Sequence, residues 1–358
     1  MYLIIAWFLL FGISGFAQDH KKDFHLSDSE FASLIQDFSE SDSNVYTGEN
    51  FISNENSYLQ IFPKALKLGV GHDVYIGVAP DQNFTYIYKF KPKVAFIVDI
   101  RRQNLLEILM FKAIFEMADT PLKYLQLLFA RKNTNIDALL DAPASTYDKK
   151  MADETLNQII EKITAVYKIP LSRQDEGMLK KIYWTFYVYG GSITCNANMV
   201  RPTFTELVRE KDLNGKRGHY LFNKKAYQYL RRMYARNLIV PLTGNFTGDK
   251  TFFLLSNWLK ERQLTVSVFY ISNVEYYIQD SSNPKRPYWF KNVQLLPWHP
   301  QGIIIRSYFS VQKGNHPEFL NSYLSLTLVE KAREYIELFE SSLQDYDSVI
   351  KYYIKLRK

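Results

Sequence analysis

The stretch from Asp73 to Asn104 constrains this chain more than any other. Val74, Tyr75 and Ile76 are β-formers that run into Gly77, Pro80 and Asp81 break the strand, and Phe84 to Tyr88 start a helix that Pro92 stops. A second apolar strand from Val94 then ends on an acid, Asp99. In a nucleotide-binding α/β sheet, a glycine after the first strand allows close backbone approach, and an acid ending the second accepts hydrogen bonds from ribose hydroxyls. The spacing from Gly77 to Asp99 suits that role, the acid being expected about 20 residues on. A dinucleotide fingerprint carries three glycines, however, and Gly77-Val-Ala79 keeps one.

The rest of the chain repeats an α/β rhythm. Leu105 to Met117 reads as a strongly apolar helix, and Thr120-Pro121 caps another that runs through Phe129. Strand signals then lapse, which predicts a helical insertion at about 131–236. Leu238-Ile-Val240 is a short buried strand, Thr251 to Arg262 a helix, and Leu264 to Ile271 the strongest strand signal in the chain. Ile303 to Arg306 supplies one more strand, and a helical C-terminal extension is predicted at about 318–358. Before the first strand, Ser27 to Glu30 has capping-box spacing ahead of a short amphipathic helix. Ser53 to Tyr58 is polar for a segment beside a buried strand. It suits either the lining of a ligand cleft or a solvated helix start. With 358 residues and 26 Tyr and 25 Phe, the chain can fill the space between helices and sheet with aromatic rings.

Several function classes lack support. The formal net charge of +7 comes without the basic stripe and interleaved aromatics of a nucleic-acid footprint, so nucleic acid is not an expected partner. The six His are scattered and Cys195 is the single cysteine, which argues against a metal site and a disulfide framework. Neither a Gly-x-Ser-x-Gly elbow nor a phosphate-binding Gly-x-x-x-x-Gly-Lys loop occurs. Tyr2 to Phe16 is an apolar run closed by Gly15-Phe-Ala17, read as a signal peptide over residues 1–17, cut near Ala17 or Gln18. That reading places the mature chain, a single domain over 18–358, in the periplasm; an uncleaved anchor is the other reading. No later run is long and apolar enough to span a bilayer.

In an open α/β sheet, ligands lie outside the carboxyl ends of the strands. Those ends carry Gly77, Pro80, Asp81, Gln82 and Asn83; then Asp99, Ile100 and Arg101; then Thr243, Gly244 and Asn245; then Ser272, Asn273 and Glu275. Each also suits ordinary turn and capping chemistry. Gly77-Val-Ala-Pro80, Val94 to Asp99 and Val268 to Glu275 resemble the first, second and fourth motifs of class I S-adenosylmethionine-dependent methyltransferases. Gly77 to Tyr86, Asp99 to Asn104, Asn237 to Pro241 and Ser272 to Glu275 resemble, more closely, an uncharacterised bacterial family of methyltransferase-like proteins, several of them exported. The first resemblance covers the sheet and the second most of the mature chain. Together they imply a Rossmann-like, methyltransferase-type sheet binding S-adenosylmethionine or a related nucleoside. Gly77 would admit the methionine end, Asp99 hold the ribose, Ile100 and Arg101 border adenine, and Ser272, Asn273 and Glu275 face the sulfonium and an acceptor. The glycine loop is reduced and the Asp/Asn-Pro-Pro-Tyr arrangement of amino-methylating enzymes is missing, so a second expectation stands beside the first: an exported, non-catalytic module binding a small molecule or a protein on the same sheet.

Overall fold

The computed structural model describes residues 24–41, 50–195, 201–278, 283–309 and 314–340; the leader expected over 1–17 lies outside them. Six strands form one sheet: β1 (Val74–Gly77), β2 (Val94–Asp99), β3 (Ile239–Thr243), β4 (Val266–Ser272), β5 (Trp298–Tyr308) and β6 (Leu326–Lys331). Their order is β3-β2-β1-β4-β5-β6, the first five parallel and β6 antiparallel to β5. The chain thus builds outward from β1 to β3, then returns across β1 to place β4 on its other side. The strand order reverses between β1 and β4. The gap at that reversal, at the carboxyl ends, is where open α/β sheets hold ligands.

A parallel sheet needs cover on both faces. The helices before and within the first half are α1 (Asp28–Phe38), α2 (Phe62–Lys67), α3 (Gln82–Phe90), α4 (Arg102–Met117) and α5 (Pro121–Phe129). The insertion supplies α6 (Ile136–Leu140), α7 (Lys149–Glu161), α8 (Arg173–Tyr189), α9 (Phe204–Arg209) and α10 (Lys224–Ala235). After β3 come α11 (Thr251–Glu261), α12 (Arg286–Leu295) and α13 (Ala332–Glu340). Alternation along the strands sorts side chains between the two layers. Phe96 and Phe269, each in register with Ile76, meet Trp258 of α11 and Trp289 of α12. Tyr75 and Tyr270 turn the other way, toward Asn83 and Tyr86 of α3. On that side Phe84, Phe111, Phe115, Tyr124, Tyr220, Tyr227 and Tyr234 form one aromatic cluster, with ring centroids from 4.7 to 6.5 Å apart. These are edge and offset geometries worth about 0.5–1.5 kcal/mol per pair beyond area burial.

Two features depart from the sequence reading. The predicted strand at Leu238 to Val240 runs on through Pro241 to Thr243; β3 is an edge strand, and an edge tolerates a residue without an N–H. The helical extension expected from Glu318 is corrected: Leu326 to Lys331 is β6, paired with β5, and the helix begins only at Ala332. Leu326-Thr-Leu-Val offers too short a run to separate strand from helix by period, and the open edge of β5 decides it.

The antiparallel addition is tied to β4 by buried charge. Arg306 of β5, 1% exposed, lies 3.4 Å from Glu275 and 3.8 Å from Glu330 of β6, and Tyr335 of α13 donates to Glu275 at 2.6 Å. Breaking a buried pair from one side costs about 3–5 kcal/mol because the partner charge stays buried. Arg306→Met is therefore expected to lower unfolding free energy by about that amount, measured by urea denaturation with the slope unchanged. A loss within experimental error would show that the pair holds nothing together.

Candidate functional site

The turn after β1 is built around Asn83. Its Nδ2 donates to the carbonyls of Val78, Ala79 and Pro80 at 2.9, 2.9 and 2.7 Å, and its Oδ1 accepts from Tyr75 OH at 2.7 Å. A Cβ on Gly77 would lie 1.9 Å from that Oδ1. The glycine thus provides space for an internal amide, and Asn83 fills the place beside the backbone that a ligand would approach. Ala79, at φ +65°, adopts a left-handed conformation that non-glycine residues rarely take.

Asp99 ends β2 almost wholly buried. Its Oδ1 accepts from Arg101 N at 2.9 Å and Arg101 Nη1 at 3.3 Å. Burial pushes its proton affinity up, while the Arg101 charge and the hydrogen bonds from Arg101 and Ala79 pull it back. A carboxylate offers about four acceptor positions; the two Arg101 donors leave room for more.

Beside Asp99, over the ends of β2 and β3, a cleft of about 480 Å³ opens between Ile100, Thr243, Asn245, Glu40, Ser41, Asp249 and Lys250. Its far wall is the chain leaving α1. Thr243 N donates to Ser39 Oγ at 3.1 Å, Glu40 accepts from the N–H groups of Asn245 and Thr251 at 3.2 Å, and Lys250 Nζ donates to Ser39 O at 2.6 Å. Glu40 thereby holds the start of α11, where four backbone donors lack helical partners. A Cβ on Gly244 would lie 2.7 Å from Thr251 Cγ2, closer than real side chains approach. Among the described residues, Thr243 Oγ1 and Arg101 Nε are buried without a hydrogen-bond partner.

At the reversal between β1 and β4 the edge is closed. Residues 51–58 cross it as an irregular strap, and Glu55, 0% exposed, enters the gap. Ser272 Oγ donates to Glu55 Oε1, and Gln82 Nε2 donates to Glu55 Oε2 at 3.2 Å and to Tyr270 OH at 3.0 Å. Ser53 Oγ donates to Gln82 Oε1. Burial raises the proton affinity of Glu55 against the pull of these donors. Ser272, at φ +51°, is held in the left-handed region to make the contact.

Of the residues expected at the site, Ile100, Thr243 and Asn245 line the open cleft; Asp99 and Gly244 are their chain neighbours, and Arg101 bonds the acid. Gly77, Pro80 and Asn83 are joined in their own turn. Asp81 points into the layer beneath α4, 3.4 Å from Tyr220 OH and 3.8 Å from His219 Nε2. Ser272 bonds Asn273 Oδ1 at 3.3 Å as well as Glu55, whereas Glu275 turns to Arg306. Sequence reasoning missed Glu40, Asp249 and Lys250, which become neighbours only through tertiary packing, and it left Glu55 within a polar segment that suited either a cleft lining or a solvated helix start. It also missed Glu107, 0% exposed on α4, whose signal was a carboxylate inside an otherwise apolar helix. Burial, with Asp81 and Asp99 nearby, pushes Glu107 well above the ordinary value of 4.5, with the Gln103 side chain pulling weakly the other way. Among the described residues no group of three or more His, Cys, Asp or Glu is placed to hold a metal ion, and no helix is long and apolar enough to cross a membrane.

The family described as Domain of unknown function (DUF7790) matches residues 50–352. The chain belongs to that family. The match takes in the strap, all six strands and the whole insertion; Glu40 and Ser41 lie ahead of it. No curated protein matches the chain.

Two outcomes follow from this geometry. Gly77→Ala should cost about 1–3 kcal/mol by forcing an overpacked turn; in an Asn83→Ala background its cost should be smaller, a coupling readable from a double-mutant cycle in urea. A carboxyl whose proton affinity is higher in the folded state stabilises the fold below its unfolded-state value, and that contribution is lost as pH rises toward the folded value. Glu107→Gln should therefore stabilise the protein relative to wild type at neutral pH. The gap in melting temperature should close as pH falls below about 4.3. A gap that widened in acid would contradict the assignment.

Proposed function

We propose that this protein binds a nucleoside-type small molecule in the cleft over β2 and β3 without carrying out group transfer. The observation that carries the reading is the uneven division of the sheet edge. The β2–β3 half is open beside a strand-ending acid, whereas the β1–β4 half is occupied by Asn83 and Glu55. The volume of the open half, about 480 Å³, falls in the range of about 300–1,000 Å³ usual for small-ligand sites. Asp99 offers an acceptor to a sugar hydroxyl, Thr243 Oγ1 and Arg101 Nε have unused hydrogen-bonding capacity, and Ile100 presents an apolar wall to a base.

The strand order, five parallel strands followed by an antiparallel one, is part of the pattern of a methyltransferase-type sheet and supports that ancestry. Methyl transfer needs in-line approach of an acceptor to a sulfonium held at the reversal of strand order, and positioning there supplies much of the rate. With the strap in place that volume holds protein atoms. Export, expected from the leader, would further separate the chain from S-adenosylmethionine, a cytoplasmic metabolite.

Calorimetric titration of the full chain with adenosine, S-adenosylhomocysteine and S-adenosylmethionine tests the reading. All three are expected to bind with affinities within about tenfold of one another, a span of about 1.4 kcal/mol. Asp99→Asn should weaken all three by about tenfold or more, the worth of one hydrogen bond to a charged group. Absence of adenosine binding, or methyl transfer from S-adenosylmethionine to any acceptor, would overturn it.

A further inference from the structure

The strap over the strand reversal is more than a seal. We infer that Glu55 is an intrachain stand-in for a ligand carboxylate, seated in a nest of neutral donors that a carboxylate-bearing small molecule enters when the strap tip, Ser53 to Ser57, moves aside. Three observations support this. First, the donors converge from separate elements: Ser272 from the end of β4 and Gln82 from the first turn of α3 hydrogen-bond the two oxygens of the Glu55 carboxyl, and the hydroxyls of Tyr270, which accepts from Gln82 at 3.0 Å, and of Ser307 in β5 lie beside it. All four are themselves buried, from 1% to 6% exposed. None of these donors is a cation. A lone structural carboxylate buried this deeply ordinarily takes a basic partner, whereas an all-neutral, polydentate nest is the arrangement that binds a carboxylate and lets it leave.

Second, the nest has been shaped at a cost. Ser272 takes the left-handed conformation at φ +51°, which a non-glycine residue adopts at the expense of about 1–3 kcal/mol and which clusters at ligand sites. Third, the tip is attached in a way that can be undone. Among the described residues no backbone–backbone hydrogen bond joins residues 51–58 to another element; the one such bond that they make is local, from Gln60 N to Ser57 O. Side chains hold the tip. Ser57 Oγ meets Ser325 Oγ at 2.8 Å and Thr327 Oγ1 at 2.7 Å, and Asn56 Oδ1 accepts from Leu324 N at 3.0 Å. Buried Phe51, Ile52 and Tyr58 flank the tip and anchor it at both ends, so that it can lift without detaching the strap.

The nest lies on the same carboxyl edge of the sheet as the cleft assigned to a nucleoside and extends that reading, yet it can be tested apart from it. The probe is propionate, a carboxylate with no nucleoside, and the readout is cleavage of the full-length protein by an endoprotease specific for glutamyl bonds. The Glu55 bond is protected while the tip is down. Propionate is expected to accelerate cleavage after Glu55 saturably, whereas propionamide at equal concentration does not. Ser272→Ala, which removes one donor to the bound carboxylate, should cleave faster without ligand and need about tenfold more propionate for half the effect. In Glu55→Gln, where the glutamyl bond is gone, propionate should still raise the melting temperature saturably; if that variant does not fold, the wild-type and Ser272→Ala cleavage rates decide alone. Cleavage after Glu55 indifferent to propionate, or equally sensitive to propionamide, overturns the inference. Adenosine binding without a propionate effect removes the nest and leaves the nucleoside reading standing. A propionate effect without adenosine binding does the reverse.

Discussion

A side-chain amide resting where a Cβ would otherwise be sets the geometry of this molecule. Asn83 lies against Gly77, satisfies three successive carbonyls of the turn and accepts the Tyr75 hydroxyl. That contact determines how β1 turns into α3 and holds Ala79 in a left-handed conformation. It brings Gln82 to the start of the helix, within reach of β4 and of the strap. The carboxyl edge of the sheet is therefore a solid, hydrogen-bonded rim at its centre and an open cleft to one side.

The electrostatics of that rim are unusual in one respect: its buried acids outnumber its buried bases. Asp99 shares the Arg101 guanidinium, but Glu55 and Glu107 are held by neutral groups, and burial raises the proton affinity of both. Buried carboxyls that lack a cation shift toward the neutral form instead of being expelled. By contrast, the charges that serve the fold are paired. Arg306 lies between Glu275 and Glu330 across three strands, and Lys112, 2% exposed, reaches Glu116 at 2.8 Å and Tyr234 O at 2.6 Å. Structural charges here have partners; the lone acids gather where a ligand is proposed.

Particular elements show how far a reading of residues reaches. The strands at Val74, Val94 and Val266 were legible because continuous apolar runs bounded by glycine, proline or an acid are what a strand buried on both faces requires. The capping box at Ser27 and the cap at Thr120 were equally plain. β6 was not, because its short apolar run acquires a period only from the strand that it pairs with. At the candidate site, Ile100, Thr243 and Asn245 could be placed from the rule that ligands sit at strand ends. Glu275 sits at such an end and still turns inward, since a strand-end position does not fix the direction of a side chain. Glu55 and Glu40 reach the edge from segments far away in the chain, and no local pattern records such contacts.

The residues by themselves determined a mostly parallel α/β sheet, its aromatic filling, and the set of polar turns along one edge. These follow from local periodicity and turn chemistry. Tertiary structure alone decided which part of that edge is open. The amide of Asn83 and the carboxyl of Glu55 fill the reversal between β1 and β4, while the chain leaving α1 stands off β2 and β3 far enough to leave a cleft. The physical reason is that occupancy of a crevice depends on long-range packing between segments far apart in the chain, and a one-dimensional pattern does not carry it.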